Sequence, residues 1–493
     1  MTRGKGLVAL VFSIALLAPC AGRAQPQAAA APAFRMPAPH KNAPLGKIER
    51  FPGDGTGAYA TNVYRDLFAE QGHAPSAIHA KIERAFEQLF HGNAREQRVY
   101  FESGANRNGP LAYVTDWANN DVRTEGMSYG MIVAVELDKK REFDALWNWA
   151  NTYMLITDPK NPSVGYFAWS MNTDGTPRSV GPAPDGEEYF TMALYFAAHR
   201  WGNGTGIYNY QAQADRILRG IRRHPVQTGM GPFRIHPQDP PFIAPDRPWP
   251  SPNNSRMEEQ AKAGGKPWPP PSFRYFRGPR KETVGPMVNE PYFMIRFVPD
   301  LPDGVTDVSY HLPAFYELWA RWGPVEDRAF WAMAADVSRD FFNRVAGPET
   351  GLTPDRSNFD GTPAMGFDGK PVPFMADAWR TVSNWSVDYS WWHKDARETA
   401  LSGRLQKFLY GQGMDRFANS YTLKGTPLSK THSPGMVAAT AVGGLAEPDG
   451  PTAKAFVDAL WNMPIPSGEQ RYYDGMLYLM SLMHCSGEFR IIR

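Results

Sequence analysis

The chain has 493 residues, 42% hydrophobic and 13% aromatic, which is enough to bury one large core or two ordinary ones. Its formal net charge at pH 7 is +2 and it has no long basic or acidic run, which argues against a nucleic-acid partner. The 15 Trp, 21 Tyr and 28 Phe residues offer flat apolar faces that can hold sugar rings as well as pack a core.

The first 24 residues have the pattern of an export signal peptide. Two basic residues precede an apolar run at 7–18, and a small-residue cleavage site ends at Ala24. The apolar run is too short to span a bilayer, so we expect no stable membrane insertion. Residues 25–45 are rich in Ala and Pro and are predicted to form a disordered tether. The protein is therefore expected to be exported, either periplasmic or secreted.

Residues 46–493 are predicted to form a single domain rich in helices. Strand-like alternation is scarce, and apolar residues recur at helical spacing in several stretches. These stretches begin at Ile78, Phe143, Phe190, Phe330, Val382 and Phe456. No fixed sequence period is obvious, which favours a globular α/α arrangement over a solenoid. An insertion at about 236–285 has so much Pro that we expect no regular structure in it.

Cysteine and histidine usage argues against disulfides and metal sites. If Cys20 leaves with the signal peptide, Cys485 has no internal partner and the fold must rest on packing. No His pair has the spacing of a zinc-binding helix. We therefore expect neither a metal nor a cofactor.

Three acidic residues stand where a loop rich in Gly, Pro or aromatic residues runs into a helical stretch. They are Glu125 in RTEGMSYGM, Asp185 in APDGEEYF and Asp377 in MADAWR. A glycosidase needs two carboxyl groups flanking the scissile bond, which makes these residues catalytic candidates. Each has a structural alternative. Glu125 could complement a helix dipole and Asp377 could be an ordinary N-cap. Asp185 and Glu188 have the spacing of a capping box.

Seven segments carry a resemblance to a known family. In chain order they are DVRTEGMSYGM (121–131), FDALWNWA (143–150), GYFAWS (165–170), APDGEEYF (183–190), HRWG (199–202), DVSYHLPAFYELWA (307–320) and DAWR (377–380). They resemble glycoside hydrolase family 8, and within it the reducing-end xylose-releasing exo-oligoxylanases. The resemblance implies an all-α fold, an (α/α)6 barrel of six inner and six outer helices, and an inverting mechanism.

The resemblance also assigns roles to the acidic residues. Glu125 matches the general acid, which must remain protonated near neutral pH. Asp377 matches the general base, which must be ionised and hold a water, so the two carboxyl groups should lie roughly 6.5 to 9.5 Å apart. Arg380, three residues later, could keep Asp377 charged. Asp185 matches the aspartate that holds the distorted sugar at the centre of the cleft.

Three more residues are candidates for substrate binding. Tyr310 matches the family tyrosine that helps the base to hold the water, although Val308 replaces the usual proline. Trp169 is a candidate sugar platform, with a core position as its alternative. His432 corresponds to a loop histidine that blocks one end of the cleft in the exo-acting enzymes and bonds to the reducing-end hydroxyl. Here Ser433 separates it from the following proline, and a plain surface role is the alternative.

The predicted function is an inverting glycoside hydrolase that releases xylose from the reducing end of β-1,4-xylooligosaccharides. The protein is expected to be a monomer. Two alternatives stay open. A family 8 endo-β-1,4-xylanase or endoglucanase would keep the acid and base but leave the cleft open at both ends. A non-catalytic glycan-binding protein would keep the fold and the aromatic residues but has no use for a proton donor opposite a base.

Overall fold

Helices dominate the part of the chain that the structure, a computed structural model, describes. This part comprises residues 49–242, 258–259, 261–268, 280–302, 304–366, 368–447 and 450–493. All of these residues belong to one compact unit, Met36–Arg493. The predicted export signal, the tether and the domain start at residue 46 lie outside the described residues, as does much of the Pro-rich insertion. Within these ranges no helix is both long and apolar enough to cross a membrane.

The α-helices of the described residues fall into buried and half-exposed types. In chain order they are α1 (Ala58–Thr61), α2 (Leu67–Glu70), α3 (Pro75–Phe86), α4 (Thr124–Glu136), α5 (Lys140–Trp149), α6 (Pro184–Trp201), α7 (Tyr210–Arg223), α8 (Pro313–Trp322), α9 (Arg328–Val345), α10 (Thr381–Trp392), α11 (Arg397–Gln412), α12 (Pro434–Ala441), α13 (Pro451–Asn462) and α14 (Arg471–Cys485). From α4 to α14 the even-numbered helices are buried on most faces. Helices α3, α5, α7, α11 and α13 each expose one side, as amphipathic outer helices do.

The even-numbered helices from α4 to α14 contact one another in sequence. Helix α4 packs on α6, α8 on α10, α10 on α12, and α12 on α14, while α14 returns to contact α4. Helices α6 and α8 are joined by Tyr316, whose Oη donates to Glu188 Oε1 at 2.7 Å. The rings of Tyr189 and Phe315 also meet edge to face at 5.3 Å. The last helix of the chain thus packs against the first buried one.

The described residues are mostly helical but also contain β-structure, which the sequence analysis did not predict. A five-stranded antiparallel sheet consists of β1 (Tyr100–Asn106), β2 (Gly109–Asp116), β3 (Asp121–Arg123), β4 (Ser170–Met171) and β5 (Pro177–Ser179). The two-stranded sheets are β6 (Gln227–Met230) with β7 (Lys281–Val284), β8 (Val288–Asn289) with β9 (Met294–Ile295), and β10 (Val305–Asp307) with β11 (Arg356–Asn358). Most of these strands are too short to show a period of two in the sequence, and β1 is largely exposed. Strand β7 also corrects the expectation that the Pro-rich insertion has no regular structure.

One tight hairpin turn recurs among the described residues, and three of its copies lie upstream of candidate site residues. These copies span 172–176, 358–362 and 422–426, and in each copy the first N–H donates to the fifth carbonyl at 2.8 Å. The fourth residue is a Gly with positive φ: Gly175, Gly361 and Gly425. The copies precede α6, the Asp377 segment and α12, so each lies upstream of a candidate site residue. The repeated Asp-Gly-Thr-Pro at 174–177 and 360–363 was a readable signal that the sequence analysis missed.

Candidate active site

Arg380 lies at the centre of the candidate site, with only 6% of its side chain exposed. Its Nη1 donates to Glu125 Oε2 at 2.8 Å and to Asp185 Oδ2 at 3.2 Å. Its Nη2 donates to Ser309 Oγ at 2.8 Å and lies 3.2 Å from Asp377 Oδ1. One guanidinium therefore brings the three predicted acids together, whereas the sequence had suggested Arg380 only as a partner of Asp377.

Glu125 lies in the first turn of α4, with 13% of its side chain exposed. Tyr472 of α14 donates from its Oη to Glu125 Oε1 at 2.7 Å. Gly126 permits this contact, because a Cβ at that position would lie 2.5 Å from the Tyr472 ring. Burial is the largest effect on the pKa of Glu125 and raises it. Arg380 lowers this pKa and the other two site carboxylates raise it, so that the net pKa is about 7. Near neutral pH a large share of Glu125 is therefore protonated.

Asp185 lies in the first turn of α6 and is buried. A Cβ at Gly186 would lie 2.3 Å from Thr124 Cβ, so the glycine lets the start of α6 touch the residue before Glu125. Burial raises the pKa of Asp185, and Arg380 opposes that rise. Asp185 and Glu125 thus share one cation at the adjoining ends of two helices.

The capping-box alternative for Asp185 is wrong. The N-cap of α6 is Ala183, which makes no side-chain cap. Asp185 Oδ2 instead accepts from Arg380, and Glu188 accepts from Tyr316.

Asp377 lies in a 3₁₀ turn, Ala376–Arg380, immediately before α10. The N-cap alternative for Asp377 is wrong, since Met375 occupies the N-cap position of this turn and Arg380 occupies that of α10. Ala376 has a φ of 35°, a left-handed conformation that costs a residue with a Cβ about 1–3 kcal/mol. The Asp377 side chain is 34% exposed, against 8% for Asp185. Asp377 is thus the most accessible of the three acids.

Tyr310 is buried beside the arginine. The Arg380 Cζ lies 5.9 Å from the centroid of its ring, which also stacks on Phe297 at 6.2 Å. The preceding residue, Ser309, donates from its Oγ to Asp307 Oδ1 at 2.7 Å while it accepts from Arg380. The segment that carries Tyr310 is therefore tied to the guanidinium through a serine hydroxyl.

Trp169 is 37% exposed, so the alternative of a core tryptophan is wrong. Its carbonyl accepts from the N–H of Thr124 at 3.0 Å, which ties it to the start of α4. The guanidinium of Arg123 lies 5.7 Å from the centroid of its ring. An aromatic side chain with an exposed surface thus stands next to the segment that carries Glu125.

His432 lies before α12 and is half-buried. Its Nδ1 bonds the carbonyl of Phe417 at 2.8 Å, and because a carbonyl only accepts, Nδ1 carries the hydrogen. In the neutral ring Nε2 is then an acceptor. The backbone N–H of Asn419 donates to Thr431 O at 2.8 Å, and Asn419 O accepts from Trp379 Nε1 at 2.9 Å. The histidine loop is therefore linked to the Asp377 turn through one asparagine.

The sequence analysis missed several residues of this site. Tyr129 accepts from Arg380 Nη1 at 2.6 Å, and its position four residues after Glu125 on one helix was an available signal. Tyr472 and Tyr473 come from the far end of the chain, and Tyr473 Oη donates to Ala376 O at 3.1 Å. No local pattern marks these two tyrosines, because their place in the site depends on the return of α14 to α4.

A second group of acids adjoins the base candidate. Carboxylate oxygens of Asp307, Asp355 and Asp377 all lie within 4.8 Å of one another. The backbone N–H of Asp377 also favours the charged form of Asp355 and so lowers its pKa. Burial, followed by the charge of Asp377, raises the pKa of Asp355 to about 7 and that of Asp307 well above its usual range. The sequence suggested no role for Asp307 or Asp355.

A buried carboxyl group that keeps its proton near neutral pH and a more exposed carboxylate on the same arginine are the parts that glycoside hydrolysis requires. The helical fold and this site define a glycoside hydrolase. The chain belongs to glycosyl hydrolases family 8, whose family model matches residues 105–237 and 303–487.

Several characterised relatives are similar over most of the chain. It is 37% identical over 440 residues to the reducing-end xylose-releasing exo-oligoxylanase Rex8A of Paenibacillus barcinonensis, covering 89% of this chain and 99% of the relative. A reducing end xylose-releasing exo-oligoxylanase of Halalkalibacterium halodurans is 37% identical over 439 residues, covering 88% and 96%. The crystal structure of a GH8 xylobiose complex from Teredinibacter turnerae has 46% identity and a TM-score of 0.76, covering 88% of this chain and 99% of that chain.

Proposed function

We propose that the protein is an inverting glycoside hydrolase that releases xylose from the reducing end of β-1,4-xylooligosaccharides. The observation that carries the proposal is the placement of Glu125 and Asp377 on the two different Nη atoms of Arg380. The guanidinium stands between the carboxyl groups, which supports the wide separation that an inverting enzyme needs for its water.

In this mechanism Glu125 donates its proton to the glycosidic oxygen as the bond to the anomeric carbon breaks. Asp377 takes a proton from a water, whose oxygen adds to the opposite face of that carbon. The raised pKa of Glu125 supports its role as the acid, and the exposure of Asp377 supports its access to water. Once Glu125 has lost its proton, Arg380 and the Tyr472 hydroxyl stabilise the carboxylate that remains.

Asp185 and Tyr310 are proposed to hold the sugar whose bond is broken. Both lie at the Arg380 cluster, and Asp185 is held by the same Nη1 as the acid. Trp169 is proposed to stack on a sugar ring, which its exposed side chain and its link to the start of α4 support.

The reducing-end specificity is proposed to reside in His432. Its Nε2 makes no hydrogen bond within the described part of the chain and can accept one from a sugar hydroxyl, since Nδ1 is committed to Phe417. Reducing-end release itself is supported by the names of two relatives, both reducing-end xylose-releasing exo-oligoxylanases, and by the structure of Rex8A complexed with xylose, at 37% identity and a TM-score of 0.72.

A second candidate is a xylanase that acts on longer chains. The Teredinibacter turnerae protein is described as a xylanase, was crystallised as a catalytic mutant with xylohexaose, and is 46% identical to this chain. That identity exceeds the 37% shared with Rex8A, so an open cleft is the alternative that any product analysis must test.

We also propose that the domain is an (α/α)6 barrel. The buried helices from α4 to α14 each contact the next and α14 contacts α4, which supports a closed inner ring. Helices α3, α5, α7, α9, α11 and α13 would form the outer ring. Export, cleavage after Ala24 and a monomeric state remain proposals that rest on the sequence pattern.

The deciding experiment is product analysis on xylotriose and xylotetraose labelled at the reducing end, beside polymeric xylan and carboxymethyl cellulose. Early release of labelled xylose, with both polymers scarcely cut, is expected for reducing-end exo-action. Internal cutting of a polymer would establish the endo alternative, and inactivity on every substrate would favour a glycan-binding protein. Proton NMR of the first product should give the α-anomer, and a β-anomer would exclude inversion.

A further inference from the structure

Asp307, Asp355 and Asp377 form a group of three neighbouring aspartates, of which the proposed mechanism uses one. Asp377 serves as base, whereas the other two have no role in that reaction. Asp307 ends strand β10, Asp355 directly precedes the paired strand β11, and Asp377 follows in the 3₁₀ turn. Three separate segments of chain therefore bring their carboxyl groups to within 4.8 Å of one another.

Two oxygens of this group are buried without a hydrogen-bond partner in the described part of the chain. They are Asp307 Oδ2 and Asp355 Oδ1. The other Asp307 oxygen is occupied by Ser309, whose N–H and hydroxyl both donate to it. Burying a carboxylate oxygen without a hydrogen-bond donor costs free energy. One of these carboxyl groups, or a neighbouring group, must therefore supply a proton for a hydrogen bond.

The surrounding charges do not neutralise the group. The cations that face Asp355 are Arg356, at 3.8 Å from its Oδ2, and Arg380. Arg356 is 36% exposed to solvent, and Arg380 already holds Glu125 and Asp185. Carboxylates this close cannot all remain ionised, and a shared proton is the ordinary solution for such pairs.

Resting on the proposed role of Asp377 as the base, we propose that Asp355 is a positioning residue that holds a proton beside Asp377 and so keeps Asp377 ionised and oriented. In this state the Asp355 hydroxyl donates to the Asp377 carboxylate, while its other oxygen accepts from the backbone N–H of Asp377. Both contacts act on a turn whose first residue, Ala376, is conformationally strained. The pKa of Asp355, about 7, agrees with a proton held into the neutral range.

The first test uses Asp355→Asn, because an amide can donate to Asp377 and accept from its N–H without titrating. At pH 6 this variant should keep its kcat within about threefold of the wild type, whereas Asp355→Ala should lose on the order of 10 to 100-fold. If Asn is as damaging as Ala, or if Ala is harmless, the proposal is wrong. Thermal unfolding of both variants separates a loss of folding from a loss of positioning.

The second test is the pH profile of kcat/KM. The wild type needs protons on both Glu125 and Asp355, so the logarithm of kcat/KM should fall above neutral pH with a slope approaching two. In Asp355→Asn the slope should drop to one, because only Glu125 then titrates. A purely structural role of Asp355 would leave the slope unchanged and would overturn the proposal.

Infrared spectroscopy provides a readout that does not depend on activity. In Glu125→Gln, part of the carbonyl band of protonated carboxylic acids should disappear as the pH rises through about 7, and this pH-dependent part should be absent when Asp355→Asn is added. Persistence of that part would assign the proton elsewhere. Loss of wild-type activity on chelation, restored by Ca²⁺, would mean that an ion occupies the group. Unimpaired hydrolysis by Asp377→Asn would instead refute the role of Asp377 as the base. The infrared result would still show whether Asp355 holds a proton.

Discussion

Arg380 Nη1 lies 2.8 Å from Glu125 Oε2, although 255 positions separate the two residues in the chain. This contact lowers the pKa of Glu125. Burial raises the pKa of Glu125 and the guanidinium opposes that rise, and the resulting pKa is about 7. Because Nη2 of the same side chain faces Asp377, one cation contacts both the proposed acid and the proposed base.

Replacing Glu125 by Gln should lower kcat by about 10²–10⁴-fold, since the amide cannot donate a catalytic proton. Affinity for xylotetraose, measured by calorimetry, should change little, because the acid contributes mainly in the transition state. Glu136→Gln is a matched control at the other end of α4, where the side chain accepts a backbone N–H from Arg490. An unfolded Glu125→Gln protein would indicate a structural role instead.

The pH dependence of activity follows from the raised pKa of Glu125. The acid works only while protonated, so kcat/KM should fall as the pH rises through about 7. A carboxyl group whose pKa is raised on folding stabilises the protein fully below its ordinary pKa of 4.5, and this contribution is lost as the pH rises to about 7. Urea unfolding of wild type and Glu125→Gln should therefore show a difference in that window of up to about 3 kcal/mol. If the free energies of unfolding of the two proteins changed in parallel with pH, the raised pKa could not belong to Glu125.

Arg380→Met should abolish activity and lower the free energy of unfolding at pH 7 by about 3–5 kcal/mol, because it leaves buried carboxylates without their cation. The loss should shrink in acid, where those carboxylates become protonated. Arg141→Met removes an exposed ion pair with Glu102 and should cost at most about 1 kcal/mol. Similar effects of the two substitutions at pH 7 would show that Arg380 does not organise the site.

Gly126→Ala tests the close approach of α14 to α4. The added Cβ would meet the Tyr472 ring at 2.5 Å, so the tyrosine must move away from Glu125 and activity should fall at least tenfold, about the cost of a misplaced catalytic group. The control is Gly220→Ala on α7, where a Cβ would lie 3.7 Å from its nearest neighbour. That substitution should leave activity intact and stabilise the protein by roughly 0.5–1 kcal/mol.

His432→Ala should convert strict reducing-end release into mixed products from labelled xylohexaose, because the sugar hydroxyl loses its acceptor. The rate on xylotriose should fall less than the product specificity. His79→Ala, which changes a histidine exposed on α3, should leave the product pattern unchanged. Strict xylose release by His432→Ala would place the determinant of specificity elsewhere.

Much of the helical framework was predictable. The apolar stripes that begin at Phe143, Phe190, Phe330, Val382 and Phe456 all start on α-helices, because period 3.6 is a local property of the chain. The short strands and the repeated hairpin turns were not predicted. Two- and three-residue strands leave no period to detect, and their pairing partners lie in distant segments.

The sequence by itself determined the family and the candidate acid and base, since Glu125, Asp185 and Asp377 stand in local motifs whose side-chain chemistry needs no tertiary context to recognise. Only the tertiary structure decided that Arg380 joins them, that Tyr472 reaches Glu125, and that Asp307 and Asp355 crowd Asp377. The physical reason is that a pKa and a hydrogen bond depend on burial and on distances of a few ångströms. Those distances are set by the packing of helices and strands that are hundreds of residues apart in the chain.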